Sequence, residues 1–336
     1  MTTYKDIRGT HIKTVTTDPP APVNGQMWYN STTQIMKGFT SNPAGAWASG
    51  GNLNVAKNAG GATGTQTAAL AVGGTSSPSP DSNAFRNDTE QYNGTSWTEL
   101  NNINTGTKFS AVQGSYTSAI AAGGLRAPSP ATNNEKAETW NGSSWTEVAD
   151  INVGRYGLGG AGTQPASIVF GGVIFGGSPP VYRSLTELWN GSGWTEVGDL
   201  NVARHAMGSC GTSTAALAIA GAVDFDDVEQ WNGSAWTEIT DINTGRSNGQ
   251  SAGTTSAAIH FAGYAPSTSD LVTLTEVWNG SSWTEVGDMS SGRGEFADAK
   301  GGTSGSTLAA GGESPRVNVT EEFTAPATST VTFTAS

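Results

Sequence analysis

The 336 residues predict an all-β chain, a six-bladed β-propeller, on three observations. A Trp-Thr-Glu tripeptide starts at Trp97, Trp145, Trp194, Trp236 and Trp283, giving spacings of 48, 49, 42 and 47 residues. Five residues before each of these Trp stands an aromatic followed by Asn-Gly, from Tyr92-Asn93-Gly94 to Trp278-Asn279-Gly280. Further upstream, a small-residue strand ends six times in Gly-Gly or Ala-Gly, at Gly73-Gly74, Gly123-Gly124, Gly171-Gly172, Ala220-Gly221, Ala262-Gly263 and Gly311-Gly312. A repeat of this length, divided by regular turn signals, is the signature of a radial array of small sheets.

Each repeat supplies four short strands. In the second repeat they are Phe109–Val112, Ala119–Ala122, Ala137–Trp140 and Trp145–Val148. Asn-Gly joins the third to the fourth, because both residues tolerate the positive φ that a tight hairpin requires. Small side chains on the first two strands suit a crowded axis, and aromatics on the last two suit a widening rim. Ala46-Trp47-Ala48-Ser49 precedes the repeats without a third strand before it, and Glu321-Glu322-Phe323 ends them without a Trp strand after it. Placing Trp47 beside Phe323 completes the sixth blade and removes an open edge. The organisation that follows is a leader over 1–43, the propeller over 44–325 and a tail over 326–336.

Composition narrows the function. Sixteen basic against 28 acidic residues leave a net charge of −12, the wrong sign for a phosphate-binding footprint, so nucleic acid is not an expected partner. The longest apolar runs, such as Ser167–Phe170, are too short to span a bilayer. No secretory signal is visible in Met1–Asp6, and Cys210 alone permits no intrachain disulfide. Gly and Pro are abundant, yet 11 Trp residues argue for a core and against disorder.

The order apolar strand, Gly-Gly, aromatic, Trp, basic residue resembles the kelch repeat of galactose-oxidase-like propellers, over residues 44–325. The leader, from Asp6-Ile7-Arg8-Gly9-Thr10 through Pro19-Pro20-Ala21-Pro22 to Gly25–Thr32, is similar to the amino-terminal segments of structural proteins in tailed marine phages, of cyanophage type. That resemblance implies a virion protein assembled in the bacterial cytoplasm. Its leader, having no core of its own, is expected to order against other virion proteins.

Six basic residues follow the Trp strands at nearly constant phase: Lys57, Lys108, Arg155, Arg204, Arg246 and Arg293. Each could be paired with a repeat acid such as Glu138 or Glu229. Alternatively, together they could form an anion-attracting ring that binds an acidic host-surface glycan. Glu99, Glu147, Glu196, Glu238 and Glu285, two residues after each Trp, are expected on the solvated rim and not as paired catalytic carboxylates. Asp224, Asp226 and Asp227 have a spacing that could help hold calcium, without the Gly and terminal Glu of a dedicated loop. A copper site of galactose-oxidase type needs a Cys-linked Tyr and His ligands, for which only Cys210 and the dispersed His11, His205 and His260 are present. No cofactor is expected. The irregular loops between second and third strands share one face with the basic residues, and such loops on a rigid scaffold tend to carry binding. The expectation is a non-enzymatic, tail- or fibre-associated adhesin. A capsid or tail decoration protein and a glycan-cleaving enzyme stand as the alternatives.

Overall fold

The computed structural model describes residues 12–20, 26–42, 45–76, 85–126, 132–174, 180–222, 225–266, 270–298, 300–313, 316–325 and 327–333. Among them every regular element is a β-strand, and the strands form small, mostly antiparallel sheets. The chain divides into two units, residues 46–325 and residues 1–45 with 326–336.

Within 46–325, six four-stranded antiparallel sheets follow one another among the described residues. The second repeat shows the pattern: Ala111–Ser115, Ser118–Ala122, Ala137–Trp140 and Trp145–Val148 pair in that order. The outer three strands match the expected positions. The first begins two residues later than predicted, because Phe109 has a φ of 57° and cannot belong to a strand. In the sixth sheet the outermost strand is Ala46–Ser49, paired with Thr320–Thr324 so that Trp47 stands opposite Phe323. Trp47 packs on Phe323 and Phe261 at ring-centroid distances of 5.3 and 4.8 Å, and Phe323 is fully buried.

Neighbouring sheets share apolar clusters. Ala111, Ile120 and Ala137 of one sheet pack with Val169, Trp189 and Trp194 of the next. Leu308 and Ala310 of the sixth pack in the same way with Ala69, Tyr92 and Trp97 of the first. The fourth-strand indoles also cross between sheets. The Trp97, Trp145, Trp236 and Trp47 indole N–H groups donate to Thr320, Thr89, Thr186 and Thr275 hydroxyls at 2.9–3.0 Å. Where the equivalent third-strand residue is Ala137 or Val228, the indoles of Trp194 and Trp283 donate to backbone carbonyls of Ala149 and Thr240 instead. A buried indole N–H takes a substitute acceptor rather than go unpaired.

The glycine pairs have a conformational cause. First members such as Gly73 have φ near 65°, which Ala220 and Ala262 also adopt at 58° and 55°. Second members lie at 100–115°, beyond the left-handed well that alanine can enter, so the two Ala-Gly repeats keep the second glycine.

The smaller unit is a four-stranded sheet where an extended leader was expected. Lys13–Val15 runs parallel to Met27–Asn30, which pairs antiparallel with Ile35–Asn42, and this strand pairs with Ala327–Phe333 from the tail. Trp28 is buried, and Asp18 accepts hydrogen bonds from the Trp28 indole, the Asn30 amide and the Lys37 ammonium at 2.9, 2.8 and 2.5 Å. These donors, Lys37 first, hold the Asp18 carboxyl at about 2.

Candidate functional site

The repeat-phase cations belong to the framework. Lys57, Arg155, Arg204, Arg246 and Arg293 are all at most 3% exposed. Each meets a buried third-strand carboxylate: Lys57 with Glu90 at 2.9 Å, Arg155 with Glu187 at 2.6 Å, Arg204 with Glu229 at 3.1 Å, Arg246 with Glu276 at 2.8 Å, and Arg293 with Glu321. The second carboxylate oxygen accepts from a backbone N–H beyond a fourth strand, as at Asn54, Asn152, Asn201, Asn243 and Ser290. These five cations therefore form no anion-attracting ring, since each is buried out of reach of an incoming anion and already faces a carboxylate.

Lys108 departs from this pattern. Gly74, Gly124, Gly172, Gly221, Gly263 and Gly312 donate backbone N–H groups to Thr107, Arg155, Arg204, Arg246, Arg293 and Lys57, so Thr107 is the equivalent of the buried cations. The carboxylate of that repeat, Glu138, is met instead by Arg126 at 3.1 Å. Lys108 falls one position later, with Asn58, Tyr156, His205, Ser247 and Gly294, each of which bridges to the strand after the glycine pair. Only exact alignment on the backbone separates the two positions, and residue type alone misleads.

The next position links one repeat to another. Ala59, Phe109, Gly157, Ala206, Asn248 and Glu295 all have φ between 52° and 65°. Phe109, Gly157, Ala206 and Asn248 donate N–H to the carbonyls of Ala59, Phe109, Gly157 and Ala206 at 2.7–3.0 Å, and Ala59 donates to Glu295 at 2.5 Å. These hydrogen bonds run through all six repeats and join the first to the sixth. These residues, with Ser110, Gln250 and Lys300, line a cavity of about 50 Å³.

Around these residues the repeats differ. On one side, Glu295 and Glu313 both accept from the Asn58 amide at 2.8 Å. Arg316 donates to the Asn58 carbonyl oxygen at 2.6 Å, and Tyr264 donates to Glu313. Burial, reinforced by the charge of Glu313, raises the Glu295 carboxyl to about 7. On the other side lie aromatics. The Lys108 ammonium sits 5.3 and 5.4 Å from the Phe85 and Phe109 ring centroids, and desolvation lowers its pKa. Phe109 lies 6.0 Å from Tyr156, Val173 separates Tyr156 from Tyr182 across the ladder, and Tyr182 stacks on His205 at 5.0 Å. Burial lowers His205 to about 4, so it is neutral.

Glu295 makes a pH prediction. Its folded value lies above the ordinary 4.5, so the folded state holds the extra proton between these values and stability falls as pH rises through 7. Glu295→Gln should therefore raise the unfolding free energy by about 1–2 kcal/mol at pH 8 and change it little at pH 5. Denaturant unfolding at both pH values checks this; equal effects at the two would refute the assignment.

The remaining sequence candidates do not assemble with this site. Glu99, Glu147, Glu196, Glu238 and Glu285 are exposed, one on each of five outer strands. Asp224 lies outside the described residues, Asp226 is exposed, and Asp227 faces Arg204 at 3.6 Å. Asp227 does approach Glu238 and Asp241, with ligand oxygens within 4.8 Å of one another, a grouping the spacing did not suggest. Cys210 is buried, His260 is buried against the Ser251 hydroxyl at 2.8 Å, and His11 lies outside the described residues. Most residues of the irregular loops, including 77–84, 127–131 and 175–179, also lie outside them. No protein-family model matches the chain, and no curated protein matches it.

Proposed function

We propose that the six sheets are the blades of a six-bladed, kelch-like propeller acting as a binding module, and that the face around Phe109, Tyr156 and Glu295 is where the ligand docks. The chain of hydrogen bonds from Glu295 through Ala59 to Asn248 and the apolar cluster shared by the sixth and first sheets support the closed ring. The leader's resemblance to phage structural proteins supports a place on the virion, with this face engaging the host surface as an adhesin.

One observation carries the docking face. All six ring positions have left-handed φ, where glycine is free of strain and Asn tolerates the conformation. Gly157 and Asn248 stand at two of them, yet Phe109 and Glu295 stand at two others. A side chain kept where glycine would cost the fold less is kept for what it touches. Phe109→Gly should leave thermal stability unchanged or raised, by up to about 1 kcal/mol, while weakening capture of the protein on host cells. Immuno-gold labelling of particles and a cell-capture assay on the variant test the reading. Capture by Phe109→Gly equal to that of the wild type would overturn it.

Glycan cleavage has one feature in its favour, the Glu295 and Glu313 carboxyl groups bridged by one amide. That amide fills the gap in which a scissile bond has to lie, and Tyr264 occupies the other Glu313 oxygen. Binding without turnover fits the arrangement better.

A further inference from the structure

We infer that the docking face takes an uncharged, hydroxyl-rich sugar and does not select an acidic one; this rests on the binding reading above. Three observations converge on it. The first is charge balance. Five of the six repeat-phase cations are consumed in buried pairs; the sixth, Lys108, stands with Arg316 and the cavity-lining Lys300 against Glu295 and Glu313. A uronate or sulfate entering here meets two carboxyl groups as well as these cations, whereas an uncharged sugar is opposed by neither sign of charge.

The second is surface shape and polarity. Phe109 with Tyr156, and Tyr182 with His205, form two half-buried aromatic pairs across three repeats, with Val173 between them. Rigid amphipathic rings give contact area at low entropic cost, and the C–H face of a pyranose matches such a platform.

The third is unspent hydrogen-bonding capacity beside those pairs. Among the described residues, the Glu295 Oε1 atom, the Lys108 ammonium and the Asn248 side chain have no hydrogen-bond partner. The Ser110 hydroxyl is buried without a partner at the wall of the axial cavity. Buried polar groups left unpaired mark a missing ligand or water. Sugar hydroxyls both donate and accept, so one class of group satisfies a carboxyl, an ammonium, an amide and a hydroxyl together.

The test uses the full chain and three sets of immobilised probes: neutral gluco-, galacto- and manno-oligosaccharides, uronate oligomers, and sulfated oligosaccharides. Saturable binding of a neutral probe is expected, with little response to salt. Tyr156→Ala and Tyr182→Ala should each weaken it at least tenfold, and Ser110→Ala about threefold, at unchanged thermal midpoints. Binding of uronate or sulfated probes alone, or neutral binding indifferent to both tyrosine variants, overturns the proposal. Absence of binding to any probe also overturns it. Capture on host cells separates the two levels of inference: capture sensitive to Phe109→Gly without sugar binding removes the sugar and leaves the face, whereas insensitive capture removes both.

Discussion

Arg246→Ala should lower the stability of the 46–325 unit by about 3–5 kcal/mol, as expected when one partner of a buried ion pair is removed. The Arg246 side chain is fully buried, donates to Glu276 at 2.8 Å, and also donates to the backbone carbonyls of Thr244 and His260 at 2.9 and 3.2 Å. Burial lowers the Arg246 pKa, and the Glu276 charge opposes that shift. Truncation removes the donor of three acceptors, one of them a carboxylate left with the Asn243 N–H and amide at 2.8 and 2.7 Å and the Thr244 N–H at 3.4 Å. At ordinary unfolding entropies for a unit of this size, the midpoint should fall by about 10 °C. Arg246→Met with Glu276→Leu should recover most of the loss, since a hydrophobic pair of similar volume carries no desolvation penalty. Ligand capture per folded molecule should stay constant in both variants. An Arg246→Ala midpoint within 2 °C of the wild type, about one fifth of that fall, would show that the cation is not part of the framework.

The same residue shows how far the sequence could be read. The period, the Asn-Gly hairpins and the pairing of Trp47 with Phe323 were legible because each depends on local turn chemistry or on a repeated residue type. The repeat acid opposite each cation was legible in kind. Whether those cations faced ligand or carboxylate was not, because phase along the chain does not distinguish an inward from an outward side chain at a loop. Lys108 is the sharpest instance: it looks like a repeat member, but Thr107 holds that position and Arg126 replaces its charge from another strand. The docking face was invisible for the complementary reason. Phe109, Tyr156, Tyr182, Glu295 and Glu313 share no motif, and only the left-handed residues and the bridges beside them bring them together. The leader misled through its composition. Its Thr-, Pro- and Gly-rich stretch suggested no core, while Asp18 gathers Trp28, Asn30 and Lys37 through contacts 10 to 19 residues apart.

A chain covering residues 45–325 should unfold in one cooperative transition, and a chain covering 51–325 should not. The two differ by the strand Ala46–Ser49, the outermost of the sixth sheet. Without it, the third strand Thr320–Thr324 presents a row of unpaired backbone groups, and Phe323 and Phe261 lose the indole that covers them. The Thr275 hydroxyl loses its indole donor as well, which removes one link between the fifth sheet and the sixth. The loss therefore reaches beyond four residues, because the sixth sheet joins the first through Leu308, Ala310, Tyr92 and Trp97. An open, β-rich edge also templates pairing between chains. The 51–325 chain should aggregate or melt broadly in calorimetry, and a synthetic peptide spanning residues 45–50 added in excess should sharpen the transition. If 51–325 instead melts as one sharp transition at the temperature of 45–325, the Trp47 strand does not close the array, and the ring has to be held by its inner strands alone.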